Sequence, residues 1–203
     1  MRNQVASDLG ALLERSNFPA LAGVAEYTAA RAAAAKNPRG WLQAAERIVA
    51  NPSLRTGIRD FGSRQDAKAT VWTKTLFRAA SNRNSPFGSW WFDAELVERW
   101  ERVFPASLPR LARRQKIFEA LRPMLAVCYD WNDFTQLWKM APAPGGIPAI
   151  TGQGRPQPLT SLDPAAHYTA QERAELTKVL FIGGYQQVFL PFVPRGLVAQ
   201  YLV

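Results

Sequence analysis

Three short segments of the sequence carry residue types that suit the binding of an anionic ligand with a flat ring. The first ends on Arg78, after the apolar pair Leu76-Phe77, and a guanidinium can form paired hydrogen bonds with phosphate oxygens. The second is Gly88-Ser89-Trp90-Trp91-Phe92, in which glycine allows close backbone approach and aromatic rings can wall a flat group. Both segments also have structural interpretations, because an arginine can pair with a nearby acid and tryptophans can anchor a core.

The third segment, Gly183-Gly184-Tyr185-Gln186-Gln187, precedes an apolar run. Two glycines before a strand allow a side chain to enter a tight cleft, and a glutamine there can donate to and accept from sugar hydroxyls. Neighbouring residues of a strand point to opposite faces. We therefore expect one of Gln186 and Gln187 to face the site, and one of Trp90 and Trp91 to face a cleft or the surface.

Other kinds of active site have little support in the sequence. It contains no glycine-rich phosphate loop with its lysine and no serine elbow. The single histidine, His167, stands in a predicted loop and is interpreted as a surface residue. The single cysteine, Cys128, lies in an apolar helical stretch and is interpreted as a buried structural thiol. One histidine and one cysteine exclude an ordinary structural zinc site, so we expect no metal.

The chain of 203 residues has a formal net charge of +9, which attracts polyanions and anionic ligands such as nucleotides. A basic solvated surface is the alternative interpretation, because the charges are scattered. The densest cluster is Arg110, Arg113, Arg114 and Lys116, and it lacks the stacking aromatics of a nucleic-acid site. The sequence has no bilayer-length apolar run and no apolar leader at its N-terminus, so we expect a soluble protein without membrane insertion.

The elements that must position these residues begin with a helical segment over residues 1–68. A first helix is predicted around Leu9, an alanine-rich second one from Pro19 to Lys36, and a third from Trp41 to Val49, before a stop at Asn51-Pro52. These helices have few large apolar anchors. We therefore expect these helices to pack against another part of the chain.

Residues 69–203 predict a β region interrupted by helices, so the fold class is α+β. Strands are predicted at 70–77 and 87–92, followed by a helix that Asp93 caps and a helix over 108–130 that Pro123 kinks or splits. The first of these helices should bury one stripe, formed by Leu96, Val97, Trp100 and Val103. Later elements are predicted as strands at 136–140, 147–152 and 187–190, and a short helix opening on the capping box Thr169 to Glu172.

The order of the three segments resembles the ADP-ribosyltransferase superfamily, which uses an arginine at a strand end, a serine-containing strand and a late glutamate or glutamine. The stretch Ile150 to Gln157 is similar to a Gly-x-x-x-Pro-Gln element of some bacterial toxin members. The stretch Gly183 to Gln187 is similar to the Gly-Gly-x-x-Gln element of NAD-glycohydrolase toxins. The resemblance covers Thr70 to Val203 and leaves the N-terminal helices unexplained.

This resemblance implies a split β-sandwich with a catalytic domain over 69–203 that takes NAD as its substrate and needs no metal. Arg78 would bind the NAD phosphates or the nicotinamide-side ribose, and Ser89 would brace the site. Trp90 or Trp91 would wall the nicotinamide, and Gln187 would hold the ribose. Gly183 and Gly184 would belong to the NAD-binding element. A toxin or effector of this type would be cytoplasmic or secreted by a leaderless route into a target cell, and a cognate immunity protein would be a further partner.

One departure from the family pattern bears on the reaction. Most transferases carry glutamate where this chain has Gln187, and a second glutamate or glutamine where it has Tyr185. A carboxylate stabilises the sugar cation that forms as nicotinamide leaves, whereas glutamine offers only its dipole. The departure favours an NAD glycohydrolase over a mono-ADP-ribosyltransferase, in which Thr169 to Gly184 would recognise an acidic protein or nucleic-acid acceptor. A non-enzymatic basic interaction module is the third interpretation, and it requires Arg78, Ser89 and Gln187 to lie far apart or against the core.

Overall fold

The computed structural model describes residues 2–61, 67–81, 86–127, 132, 134–158, 169–176 and 180–201. The helices are α1 (Arg2–Arg15), α2 (Ala25–Ala34), α3 (Gly40–Val49), α4 (Pro52–Gly57), α5 (Ala94–Val103), α6 (Arg110–Leu125) and α7 (Ala170–Leu176), with short 3₁₀ helices at Pro19–Leu21 and Arg195–Leu197. The strands are β1 (Lys68–Trp72), β2 (Leu76–Ala80), β3 (Trp90–Asp93), β4 (Gln136–Met140), β5 (Ile147–Gln153), β6 (Gln157–Pro158), β7 (Leu180–Phe181), β8 (Gln186–Phe189) and β9 (Val198–Tyr201). The predicted α+β class with N-terminal helices is confirmed.

Seven strands form one antiparallel sheet in the order β1-β5-β8-β3-β2-β4-β9, and β6 and β7 form a separate pair. The ladder between β2 and β3 is short, because only Leu76–Asp93 and Phe77–Phe92 are paired. By contrast, β2 pairs with β4 over its whole length from residue 76 to 80. The sheet therefore opens between β2 and β3 immediately after these two pairs.

The buried side chains form two clusters. The larger one joins α1, α3 and α4 to β1, β5 and β8, and its most buried members include Leu9, Leu13, Leu54 and Ile150. The smaller one joins α5 and α6 to β2, β3 and β4. The N-terminal helices thus pack on the sheet, as their sequences predicted. The division of the chain at residue 68 stays a prediction, although the described residues on both sides of it share the larger cluster.

The N-terminal helices differ from the predicted ones in two places. The stretch from Pro19 begins with a 3₁₀ turn, and α2 starts only at Ala25, after a turn at Gly23 that interrupts the alanine-rich run. Asn51-Pro52 ends α3 as predicted but also starts α4, because the Asn51 side chain accepts a hydrogen bond from the Ser53 N–H at 3.0 Å. Proline is well suited to the first helical position, and the sequence prediction missed this second role.

The strand predicted over 70–77 is wrong as one element. It is divided into β1, which pairs with β5, and β2, which pairs with β4 and β3. The break lies at Thr73 to Thr75, where the Trp72 indole donates to the Lys74 carbonyl at 3.0 Å. Local propensity is the same on both sides of the break, so the tertiary pairing decides where the strands end.

The helices that follow agree with the sequence at their starts. Asp93 caps α5, since its carboxylate accepts from the Glu95 N–H at 3.1 Å. Val103, predicted to belong to the buried stripe of this helix, is 54% exposed because the helix ends there. The helix predicted over 108–130 is α6, which is not split but ends earlier than predicted, because Ala126 has the left-handed conformation, with φ 50°. Pro123 lies in its last turn, and residues 128–130 of the prediction lie outside the described residues.

The capping box at the start of α7 is also present, because Thr169 and Glu172 exchange hydrogen bonds through their side chains and backbone. These bonds lower the pKa of the Glu172 carboxyl. No helix in the described part of the chain has the length and apolar character that crossing a bilayer requires. Cys128 and His167, interpreted above as a buried thiol and a surface residue, lie outside the described residues.

Candidate functional site

A cavity of about 340 Å³ lies where the sheet opens between β2 and β3. Its walls come from α4, from β2, β3 and β8, from the end of α6 with the segment that follows it, and from the segment after β5. The residues that line it are Ser53, Thr56, Gly57, Arg78, Ala79, Trp90, Trp91, Phe92, Leu125, Ala126, Val127, Asn132, Phe134, Arg155, Gln157 and Gln187. This volume is at the small end of the range for small-molecule sites, roughly 300–1,000 Å³.

Arg78 enters the cavity from β2 at the point where the ladder to β3 ends. One of its terminal nitrogens, Nη1, donates to the Trp90 carbonyl at 2.8 Å, so the side chain bridges the gap between the two strands. Burial lowers the pKa of the Arg78 guanidinium. Its Nε is buried and has no hydrogen-bond partner among the described residues. A desolvated cation in this state favours the binding of an anion.

A glycine makes room for this arginine. A Cβ atom at Gly88 would lie 2.3 Å from Arg78 Nη2 and 2.9 Å from Nη1, which is closer than side-chain atoms approach each other. The Gly88 carbonyl also accepts a hydrogen bond from the Trp91 indole at 2.8 Å. Gly88 therefore fixes one tryptophan through its backbone and allows the guanidinium to lie against it.

The two tryptophans of β3 differ in burial, although both line the cavity and both pack in the larger cluster. Trp91 is 1% exposed and anchors the larger cluster. Trp90 is half-buried, and its ring packs edge-to-face on Phe189 with 5.2 Å between ring centroids. A Cβ atom at Gly57 would lie 2.6 Å from the Trp90 ring, so α4 holds this ring tightly from the other side. Of the two rings that line the cavity, that of Trp90 is the more exposed.

Gln187 enters the cavity from β8 and is 8% exposed, whereas Gln186 is exposed. The Gln187 Nε2 donates to the Leu125 carbonyl at the end of α6, at 3.1 Å. Its Oε1 accepts no hydrogen bond from the described residues and remains an acceptor. A Cβ atom at Gly154 would lie 3.2 Å from Gln187 Nε2, so the absence of a side chain there leaves space for this amide.

Three predicted site residues do not line the cavity. Ser89 takes part through its backbone, because its carbonyl accepts from the Leu190 N–H at 2.8 Å. Gly183 and Gly184 have φ values of +60° and +76°, which favour glycine. The Gly184 N–H donates to the Gly154 carbonyl at 2.8 Å. These glycines shape the turn that leads into β8 and bring it alongside Gly154.

The site also contains residues without a predicted role. Ser53 and Thr56 come from α4, and both hydroxyl hydrogens are engaged within the helix: Ser53 Oγ donates to Asn51 Oδ1 at 2.9 Å, and Thr56 Oγ1 donates to the Ser53 carbonyl at 3.2 Å. At the cavity these hydroxyls therefore offer acceptor oxygens. The sequence signal that could have revealed α4 is the Asn51-Pro52 start, because asparagine and proline are preferred at the first two positions of a helix.

The segment after β5 adds Arg155 and Gln157. It is tied to α4 by two hydrogen bonds, from the Arg155 N–H to the Gly57 carbonyl at 2.9 Å and from the Gln157 side chain to the Thr56 carbonyl. The Arg155 side chain itself is exposed. Both residues belong to the stretch that resembles the toxin element, but the resemblance assigned no role to either.

The end of α6 supplies the last wall. Asn132 Nδ2 donates to the Ala79 carbonyl of β2 at 2.9 Å, and Asn132 Oδ1 accepts from the Phe134 N–H at 2.8 Å. The buried guanidinium of Arg122 donates to the carbonyls of Val127 and Asn132, at 3.3 and 2.8 Å. It also lies 4.8 Å from the centroid of the Phe134 ring. Arg122 thus connects the helix to the segment that borders Arg78.

The lining that the structure describes contains two arginines, several neutral polar groups and no acidic side chain. No group of three or more potential metal ligands occurs among the described residues. Tyr185, two positions before Gln187, packs partly buried against the smaller cluster, and burial raises the pKa of its phenol. Neither the protein-family models nor the curated protein sequences give a match to this chain.

Proposed function

We propose that this protein consumes NAD by cleaving the bond between nicotinamide and ribose, with water as the acceptor. The observation that carries the proposal is the convergence of Arg78, Trp90 and Gln187 on one cavity, from three neighbouring strands. These strands lie in the order β8, β3, β2, so the strand with the aromatic residue lies between the strands with the amide and the cation. The lining thus includes an aromatic ring, an amide and a cation, which suit nicotinamide, ribose and phosphate.

The lining chemistry supports a nucleotide as the ligand. Arg78 has unused donors and no carboxylate partner among the described ion pairs, which suits a phosphate. Gln187 Oε1 and the Ser53 and Thr56 oxygens offer acceptors, which suit ribose hydroxyls. The half-buried ring of Trp90 suits a planar base. The opening of the sheet between β2 and β3 also supports the split sheet that the ADP-ribosyltransferase resemblance implies.

The cleavage requires little covalent chemistry from the protein. The bond from ribose C1′ to nicotinamide N1 breaks with both electrons going to N1, so nicotinamide leaves neutral and C1′ gains positive charge. Water then attacks C1′ and releases a proton to the solvent, giving ADP-ribose. Holding the substrate in a reactive geometry and stabilising the developing charge can supply most of the rate enhancement.

Gln187 is suited to the hydrolytic version of this reaction. Its Nε2 is held by the Leu125 carbonyl at 3.1 Å, so the Oε1 dipole has a fixed direction in which to bind a ribose hydroxyl. An amide does not remove a proton from an incoming acceptor, and none of the described cavity residues is acidic. Water, which can lose its proton after attack, is the acceptor that needs least activation.

The test is incubation of the purified protein with NAD, followed by chromatographic measurement of nicotinamide and ADP-ribose. We expect the two products in equal amounts. The substitutions Arg78→Ala and Gln187→Ala should each lower the rate by about 100-fold or more, the scale seen when one group that stabilises a transition state is removed.

Gln186→Ala is the matched control, because Gln186 is the neighbour of Gln187 on β8 but is exposed. Its rate should stay within about twofold of the unmodified protein, as expected for a surface substitution. Thermal melts of all three variants would separate loss of fold from loss of function. Intact NAD after prolonged incubation at high protein concentration, or equal rates for Gln186→Ala and Gln187→Ala, would overturn the proposal.

A further inference from the structure

The cavity carries two positive charges in different surroundings. Arg78 is desolvated and tied to the Trp90 carbonyl, whereas the side chain of Arg155 is exposed. Neither belongs to an ion pair among the described residues. Two strands, β8 and β3, lie between β2 and β5 in the sheet, so the arginines approach the cavity from opposite sides.

The backbone around Arg155 is fixed, whereas its side chain is exposed. The Arg155 N–H donates to the Gly57 carbonyl, and the Gly154 N–H on its other side donates to the Tyr185 carbonyl at 2.8 Å. Gly183 packs against this backbone, because a Cβ atom there would lie 2.9 Å from the Arg155 carbonyl oxygen. The fixed backbone places the Arg155 side chain at the edge of the cavity, so only the side chain has to be ordered when it binds an anion.

We infer that Arg155 is a second phosphate-binding residue, which makes the site selective for ligands with a diphosphate over those with one phosphate. The inference rests on the proposed function and extends it. Arg78 binds the phosphate on the nicotinamide side, and Arg155 binds the second phosphate at the edge of the cavity. A cavity of about 340 Å³ is small for a dinucleotide, so the adenosine end extends past Arg155 towards solvent.

Calorimetric titration with two probes tests this assignment without requiring turnover. ADP-ribose carries a diphosphate, and nicotinamide mononucleotide carries one phosphate. For Arg155→Ala we expect ADP-ribose to bind about 10-fold to 100-fold more weakly, the usual effect of losing a charge-assisted hydrogen bond. Nicotinamide mononucleotide should bind within about twofold of its original affinity. Arg59→Ala is the matched control, since Arg59 is exposed on the nearby segment and does not line the cavity.

Three results would overturn the inference: no binding of ADP-ribose to the unmodified protein, unchanged ADP-ribose affinity in Arg155→Ala, or an equal loss for both probes. An equal loss of affinity for both probes would mean that both arginines bind the same phosphate. Failure of the proposed function is a separate outcome, because it shows as intact NAD in the turnover assay. If ADP-ribose binds in an Arg155-dependent way but NAD stays intact, the diphosphate site is supported and the assignment as an NAD hydrolase is contradicted.

Discussion

Small residues at fixed positions allow large side chains to do the binding. The absence of a side chain at Gly88 leaves room for the Arg78 guanidinium, and its absence at Gly154 leaves room for the Gln187 amide. In both cases the glycine lies on a neighbouring segment of the backbone and not beside the functional residue in the sequence. The chemistry of the cavity therefore depends on positions that carry no functional group at all.

We expect Gly88→Ala to lower NAD cleavage by about 10-fold or more while changing the free energy of unfolding by less than about 1 kcal/mol. The added Cβ would lie 2.3 Å from Arg78 Nη2, and a flexible guanidinium can move away at little cost in stability but leaves its binding position. Gly23→Ala is the control, because a Cβ there meets nothing within 4 Å. Steady-state rates and urea denaturation provide the two measurements. Equal activity of the two variants would contradict this role of Gly88.

Strand alternation predicted that Gln186 and Gln187 face opposite ways, but it left open which of the two enters the site. The resemblance pointed to Gln187, and several other members of the site had no predicted role. Gln157 and Thr56, which bond to each other, are 101 positions apart. No local pattern links such a pair, because the contact exists only once α4 has packed beside the segment after β5.

Tyr201 links β9 to α5 and gives a prediction in the alkaline range. Burial, together with a hydrogen bond from its hydroxyl to Glu101 Oε1 at 2.8 Å, raises the pKa of Tyr201 from 10.0 to about 12. The folded state thus holds this proton more tightly than the unfolded state. Its contribution to stability is fully present below about pH 10 and is lost as the pH rises towards 12.

Comparison with Tyr201→Phe isolates this contribution from other titrating groups. The difference in free energy of unfolding between the two proteins should be constant below about pH 10 and should shrink between about pH 10 and 12. Urea denaturation at a series of pH values measures it. A difference that does not change over this interval would contradict the raised pKa of Tyr201 in the folded state.

At the scale of elements, the end of α6 organises one side of the cavity. It offers the Leu125 carbonyl to Gln187, Arg122 donates to the Asn132 carbonyl, and Asn132 donates to the Ala79 carbonyl of β2. The helix ends at Ala126 in a left-handed conformation, with φ 50°, which is costly for a residue other than glycine.

We expect Arg122→Ala to lower the free energy of unfolding by about 2–3 kcal/mol, because the hydrogen bonds of a buried charged group are lost. It should also raise the KM for NAD more than it lowers kcat, since the segment carrying Asn132 loses its anchor. Lys116→Ala on the same helix is the control, because Lys116 is exposed. An unchanged KM in a destabilised variant would restrict Arg122 to a structural role.

Element starts were easier to predict than the path of the chain between elements. The caps at Asp93 and Thr169 are local features of a few residues, and both were predicted correctly. The division of residues 70–77 into β1 and β2 was not predicted, because the two halves have similar sequences and differ only in their partners, β5 for one and β4 with β3 for the other. Pairing of this kind is a property of the whole sheet.

At the scale of the molecule, the N-terminal helices belong to both the core and the site. Leu9, Leu13 and Leu54 are at most 1% exposed and share a cluster with residues of β5 and β8. The helix α4 also places Ser53, Thr56 and Gly57 on the cavity. The first segment of the chain therefore supplies one wall of the site as well as one side of the sheet.

We expect a fragment of residues 69–203 not to fold on its own, because its sheet would expose the apolar face that α1, α3 and α4 cover. Such a patch leads to aggregation or a loss of cooperative unfolding. Solubility and urea unfolding of the fragment, compared with the full chain, measure this. A soluble fragment that unfolds cooperatively and cleaves NAD would show that residue 68 is a true domain boundary.

The most direct test of the central claim is a single-turnover experiment. The full chain, in large excess, is mixed with NAD that carries a label in its nicotinamide ring, so that even slow cleavage becomes visible. We expect free labelled nicotinamide to accumulate until the NAD is consumed, and we expect Arg78→Ala or Gln187→Ala to release it about 100-fold or more slowly. Labelled NAD that stays intact with the unmodified protein would contradict the assignment of this cavity to NAD cleavage.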